Sequence, residues 1–375
     1  MLQSLKNPEK FNNSSCFAEG WYWLLESRQL RSGQVQPVSV LGRNLALYRT
    51  AAGHPIALDA YCPHMGAHLA EGRVEGEGLR CFFHNWKFNA QGNCVEIPCL
   101  GKSLPVGVKS WPLQEAYGLI WIWISDQPRQ PLPIPPELAT VAVDTWVSKR
   151  FTKACHPNVV MVNAIDAHHF NTVHNFPIAI DFQSETIGPH CISFKNQTKG
   201  GKEAWLMQLI HPLYKERGTY DLCYWNGSTG TVTLGPDFLH FYIMFSLRML
   251  ENGQTEGATV LMTQRRTGLF GWLFNRIILG ITALVGHYFA QGDTQVFRSI
   301  RFNLKTPLGA DRSILEFIDH FEQQSTRTWG SWEPWQPQTA PPTDPAPPSL
   351  GSQSPLPAPT HPSGKPPCLT LSAPP

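Results

Sequence analysis

Short apolar runs separated by turn residues recur over residues 20–125, as in PVSVLGRNLALYR, PIALDAYC and LIWIWI. Short runs rich in β-branched and aromatic residues predict strands, so this part reads as a compact all-β unit. The segment SDQPRQPLPIPPEL, 125–138, is too rich in proline for a helix interior or a central strand, and it predicts a domain boundary. Beyond it the pattern predicts a helix over about 157–175. Strands are predicted at 204–211, 218–225, 238–246 and 258–264, and two further helical stretches follow. The last helix is expected to begin after Asp311, with Ile314, Phe317, Ile318 and Phe321 on one face. Strands grouped together with helices on either side give an α+β class.

Three regions emerge: 20–125, 126–330 and a tail from 331 to 375. Residues 334–375 hold fifteen of the 33 prolines and only two charged side chains, Asp344 and Lys365. Such a stretch buries too little apolar surface to offset its ordering entropy, so the tail is expected to be disordered. The run GLFGWLFNRIILGITALVGHYFA, 268–290, is the most apolar part of the chain. Arg276 interrupts it and Asp293 closes it, leaving sixteen uncharged residues between them against the roughly 20 needed for a span. A buried or surface-docked helix is the expectation, and peripheral membrane contact stays open.

Composition changes this picture little. Lys plus Arg number 30 against 28 Asp plus Glu, which gives no electrostatic reason to expect nucleic acid as a partner. Nine scattered cysteines lack the density of a secreted disulfide scaffold, and the first sixteen residues show no apolar signal core. A reducing, cytoplasmic compartment is therefore expected.

Two constellations carry chemistry. In the first, Cys62-x-His64 precedes Cys81-x-x-His84, so each of two segments offers one thiolate and one imidazole. Zinc would accept this donor set, but zinc ligands usually come as paired cysteines followed by paired histidines. One-to-one pairing suits two irons, one bound by both thiolates and the other by both imidazoles. In the second, Asp166, His169 and His174 follow D-x₂-H-x₄-H. Asp166 and His169 stand three apart on a helix and can face each other, and a carboxylate taking the second ring N–H of a ligating histidine fixes its tautomer. His174 lies about 140° around a regular helix from His169, so the two meet at one metal only if the helix distorts or ends. His168 fits neither spacing. Asn163 lies on the Asp166 side.

The first motif resembles the Rieske [2Fe–2S] pattern C-x-H…C-x₂-H, and the pair of motifs resembles Rieske non-haem iron oxygenase α-subunits. Two neutral imidazoles in place of thiolates raise such a cluster to about −150 to +300 mV, from about −400 mV for plant-type centres. Ala67 and Phe83 occupy the places where the respiratory kind carries cross-linked cysteines, so the match is to the oxygenase or soluble ferredoxin kind. The resemblance implies a Rieske domain over 20–125 and a helix-grip, START-like catalytic domain over 126–330. It makes Cys62, His64, Cys81 and His84 the cluster ligands, His169, His174 and Asp293 the ligands of a mononuclear Fe(II), and Asp166 a catalytic bridge between centres. Gly292 stands where the family more often has Gln or Glu, and Asp311 and Asp319 compete with Asp293.

The stretch IDAHHFNTVHNFPIAIDFQSETIGPHCISF is similar to the branch containing 3-ketosteroid 9α-hydroxylases and cholesterol 7-desaturases. This implies O₂ and an apolar polycyclic or isoprenoid substrate, with electrons from NAD(P)H through a separate reductase and perhaps a ferredoxin, in a homotrimer. A chlorophyll-pathway oxygenase of the same family is the alternative within the enzyme class. Outside it stands an electron-transfer protein whose second iron site is inactive.

Overall fold

The computed structural model describes residues 8–174, 180–196, 218–236 and 238–328. The first part is built from three small antiparallel sheets. One orders the strands Ser110–Trp111, Pro55–Asp59, Arg43–Arg49 and Val35–Val40. The second joins Leu113–Ala116, Leu119–Trp123 and Trp21–Glu26, and the third runs Arg73–Glu75, Gly78–Arg80, Lys87–Phe88 and Cys94–Glu96. The hairpin at Leu41-Gly42 has positive φ at both central residues, 47° and 75°, the geometry whose twist matches the flanking strands. Glycine takes that conformation freely, and Leu41 is held in it by burial at 2% exposure.

Segment 125–138 contains only a 3₁₀ turn at Pro136–Leu138. After it an eight-stranded antiparallel sheet forms the second part. Its main path runs Val143–Val147, Thr255–Gln264, Phe241–Met249, Thr229–Pro236, Gly218–Trp225, Cys191–Asn196 and Phe182–Thr186, and Phe151–Lys153 also pairs with Thr255–Gln264. Three of the four expected strands thus appear here, while the expected strand 204–211 lies outside the described residues, as does the tail 331–375. Four α-helices occur among the described residues: α1 (Pro157–Ile165), α2 (Ala167–Thr172), α3 (Gly268–Ser299) and α4 (Arg312–Glu322).

Strand alternation decides what each face of this sheet meets. Ile243, Phe245 and Leu247 pack with Met161, Val162 and Ile165 of α1 and with Ile314, Phe317, Ile318 and Phe321 of α4. Tyr242 and Met244 point the other way, into a core shared with Trp21, Trp23, Trp121 and Trp123 of the first part. The expected single helix over 157–175 is broken at Asp166, whose ψ of 101° is extended. The mixture of sheets and helices agrees with the α+β expectation.

Candidate metal centres

The two segments that carry Cys62 and Cys81 fold into matching loops. In each, the cysteine N–H donates to the carbonyl five residues on: Cys62 to Ala67 and Cys81 to Trp86, both at 2.9 Å. In each, the cysteine carbonyl accepts from the N–H four residues on, Gly66 at 2.9 Å and Asn85 at 3.1 Å. Both of those residues have positive φ, 74° and 58°, which glycine and asparagine tolerate best. The Arg80 guanidinium steadies the second loop by donating to the Asn85 carbonyl at 2.6 Å and pairing with Glu75 and Glu96.

This frame buries both thiols and exposes both imidazoles. Cys62 and Cys81 are 4% and 1% exposed, and burial, with the neighbouring Cys81, raises the Cys62 thiol pKa above its usual value. Two adjacent thiolates are favourable there only beside a cation. The His64 and His84 rings lie 4.6 Å apart at the surface, His64 stacked on Trp86 at 4.7 Å and His84 against Phe83 at 4.0 Å. Paired sulfur donors inside and paired nitrogen donors outside fit a two-iron cluster. His68 accepts from Ala70 N–H at 3.2 Å and so caps a turn, apart from the four donors. Trp86 lies within the motif segment, but its stacking role had no signature in the spacing.

At the second centre the break at Asp166 is the organising feature. The Asp166 carboxylate caps α2 by accepting from the N–H groups of His168 and His169, at 3.0 and 3.3 Å. His169 Nδ1 lies 2.7 Å from the backbone carbonyl of Asp166, so the group that fixes the ring is a carbonyl, where the sequence suggested the carboxylate. The tautomer is therefore Nδ1–H, and Nε2 is left as the donor to a metal. The second helix ends at Thr172, which frees His174 from helical geometry.

The helix α3 brings Asp293 to the two rings. Asp293 Oδ1 lies 3.0 Å from His174 Nε2 and 3.6 Å from His169 Nε2. One donor atom from each of the three residues falls within 4.8 Å of the others. Both histidines are buried, at 7% and 5% exposure, and burial lowers the His169 pKa below the ordinary imidazole value, favouring the neutral, metal-binding form. Gly292 explains how His174 comes so close, because a Cβ there would lie 2.8 Å from its Cε1 and Nδ1. Phe170 packs 4.3 Å from His169 and Phe289 5.2 Å from His174, so the donors sit in an aromatic wall. Asn163 Nδ2 is 3.3 Å from His169 Nε2, on the metal-facing side of the ring. His168 is exposed, Asp311 accepts from Leu308 N–H at 2.8 Å in a turn, and Asp319 is exposed on α4, so none of these joins the cluster. Two histidines and a carboxylate are the donor set of an open non-haem iron(II) site.

A family model described as a Rieske [2Fe–2S] domain matches residues 20–112. The chain is 36% identical over 187 residues to cholesterol 7-desaturase nvd of Bombyx mori, a match covering 46% of this chain and 40% of that protein. It is 30% identical over 177 residues to the oxygenase component of 3-ketosteroid-9-alpha-monooxygenase from Rhodococcus rhodochrous, covering 45% and 47%. The matches thus span less than half the length of these relatives. Among solved structures, the terminal oxygenase of carbazole 1,9a-dioxygenase from Novosphingobium sp. KA1 superposes with a TM-score of 0.58 at 15% identity, over 84% of this chain and 94% of that one. The resemblance read from the two motifs is borne out: a Rieske domain is followed by the fold of an oxygenase terminal subunit.

Proposed function

We propose that this chain is the oxygenase subunit of a Rieske non-haem iron system. In it, Cys62, His64, Cys81 and His84 of domain 20–125 hold the [2Fe–2S] cluster, and His169, His174 and Asp293 of domain 126–330 hold Fe(II). The observation that carries the reading is the convergence of Asp293, 119 residues downstream of His174, onto two buried imidazoles. Electrons originate from NAD(P)H and reach the cluster through a separate reductase and perhaps a ferredoxin. The bound iron supplies O₂ activation, and the cluster supplies the electrons that activation consumes.

The chain's own residues then do three things. Asp166 ties the two centres together: its carbonyl orients His169, and its half-buried carboxylate lies at the surface end of the helix break, where a neighbouring subunit's cluster in a homotrimer is to dock. The apolar side chains around the cluster, Tyr61, Met65, Phe82 and Phe83, are all at least half exposed and suit that contact. The aromatic wall of Phe170 and Phe289 excludes water from the donors and favours an apolar substrate, for which a steroid-like polycycle or an isoprenoid is the class we propose, hydroxylated or desaturated in a cytoplasmic setting.

Metal analysis tests the centres. The protein should hold two cluster irons and one further iron per chain; an electron carrier would hold only the cluster, and a zinc protein would be colourless. Cys62→Ser should abolish the visible absorption of the cluster, and an unchanged spectrum would remove Cys62 from the ligand set. Turnover of ketosteroids and sterols with NADH, a surrogate reductase and isotopically labelled O₂ tests the substrate class, and failure of every such substrate would refute it.

A further inference from the structure

The long helix α3 has two unlike faces. Asn275, Ile278, Leu279, Thr282 and Phe297 are buried against the body of the protein. On the other side Leu269, Phe270, Leu273, Ile277, Leu284 and Tyr288 are exposed, Phe270 at 86%, Leu269 at 75% and Leu284 at 72%. Stepping about 100° per residue places these six within an arc of roughly 100°, over a length of about 28 Å. The buried set falls on the opposite side. A row of large apolar side chains this long on one helix is well beyond the scattered exposed hydrophobics of an ordinary surface.

The charge around the row has one sign. From Gly257 to Gly292 there is no Asp or Glu, and the charged residues are Arg265, Arg266 and Arg276. Arg276 is exposed beside Trp272, its guanidinium 5.7 Å from the ring. Next to it opens a cleft of about 1070 Å³ lined by Arg28, Lys149, Arg150, Arg276 and the half-exposed Trp146. The acidic groups nearby are already paired, Asp144 with Arg265, Glu26 with Arg28, and Glu256 with Arg248 and Arg150. A protein interface usually surrounds its apolar centre with polar groups of both signs. A basic border with aromatic residues suits the headgroup region of an anionic bilayer.

We propose that α3 seats the protein on an anionic lipid surface, its exposed row entering the acyl boundary while Arg276 and Lys149 meet headgroup phosphates or carboxylates. The helix lies along the surface and does not cross it, because its inner face is packed on the sheet and its Asp293 is held at the two histidines. The same helix carries Tyr288, whose hydroxyl donates to the His174 carbonyl at 3.1 Å, so the lipid-facing row ends next to the second metal centre. This docking does not depend on the oxygenase reading, since its test reads binding alone; if both hold, an apolar substrate partitions from the membrane beside the site that uses it.

The experiment is co-sedimentation of the full chain with vesicles of phosphatidylcholine, with and without phosphatidylserine. Binding should require phosphatidylserine and weaken as salt is added. The Phe270→Ser/Leu284→Ser double variant should bind at least about tenfold more weakly with its thermal midpoint and iron content unchanged. Lys149→Gln/Arg276→Gln should lose about tenfold or more on phosphatidylserine vesicles. Absence of wild-type binding to either vesicle, or equal binding by the variants, would overturn the proposal. So would a drop in oligomer mass of Phe270→Ser/Leu284→Ser on analytical ultracentrifugation, which would assign the row to a second copy of the chain.

Discussion

At Gly292 a single added methyl would collide with the ring of His174, at 2.8 Å from Cε1 and Nδ1, and press on Val173 Cγ1 at 3.3 Å. Both neighbours belong to the segment that ends α2, so neither can move without shifting His174. The glycine looked from the sequence like a departure from the usual pattern; in the fold it is the space that the His174 ring occupies. Gly292→Ala should therefore push His174 away from Asp293 and weaken iron binding by about tenfold or more, the scale of losses when a ligand's support is disturbed. The cluster proposed at Cys62, His64, Cys81 and His84 should be unaffected. The ratio of mononuclear iron to cluster absorbance reads this directly, and an unchanged ratio would show that the ring has room to adjust.

At the level of elements, the break between α1 and α2 does what an unbroken helix could not. The sequence made plain that His169 and His174 need a helix that distorts or ends, because five residues carry the second ring around to another face. It did not point to Asp166. The break falls at Asp166, whose ψ is extended and whose carbonyl lies 2.7 Å from His169 Nδ1. That partner is invisible to residue-type reasoning, since every residue has a carbonyl and only local φ and ψ decide where it points. The cluster loops were legible for the opposite reason: their donors are side chains at fixed spacing, and Gly66 and Asn85 mark the positive-φ turns. Asp166→Asn keeps an oxygen to cap α2, so stability should change by less than about 0.5 kcal/mol and both metals should remain, while coupled turnover is lost. Asp166→Ala removes the cap and should cost about 1 kcal/mol. Denaturant midpoints separate the two variants, and normal turnover by Asp166→Asn would refute the bridging role.

For the molecule as a whole, the two parts on either side of the expected boundary at 125–138 share a core. Trp21 and Trp123 meet edge-on at 5.6 Å, and both pack with Met244, Val260 and Met262 of the large sheet. The backbones approach so closely that a Cβ on Gly20 would lie 2.3 Å from the Asn226 carbonyl. Arg248 spans the junction: its guanidinium lies 4.2 Å over the Trp23 ring, donates to the carbonyls of Trp23 and Leu24 at 3.3 and 3.2 Å, and pairs with Glu256 at 2.7 Å. Arg248→Ala removes all of these and leaves Glu256 facing Arg150 at 3.8 Å. The loss should be about 3 kcal/mol, the lower end for breaking a buried pair because a second cation remains. A shared core also predicts that the parts unfold together. Cluster absorbance reports the first part and far-ultraviolet circular dichroism is weighted toward the large sheet. Their denaturant midpoints should coincide in the parent chain and fall together in Arg248→Ala, whereas a cluster that bleaches well before the sheet melts would mean that the tryptophan core does not couple them.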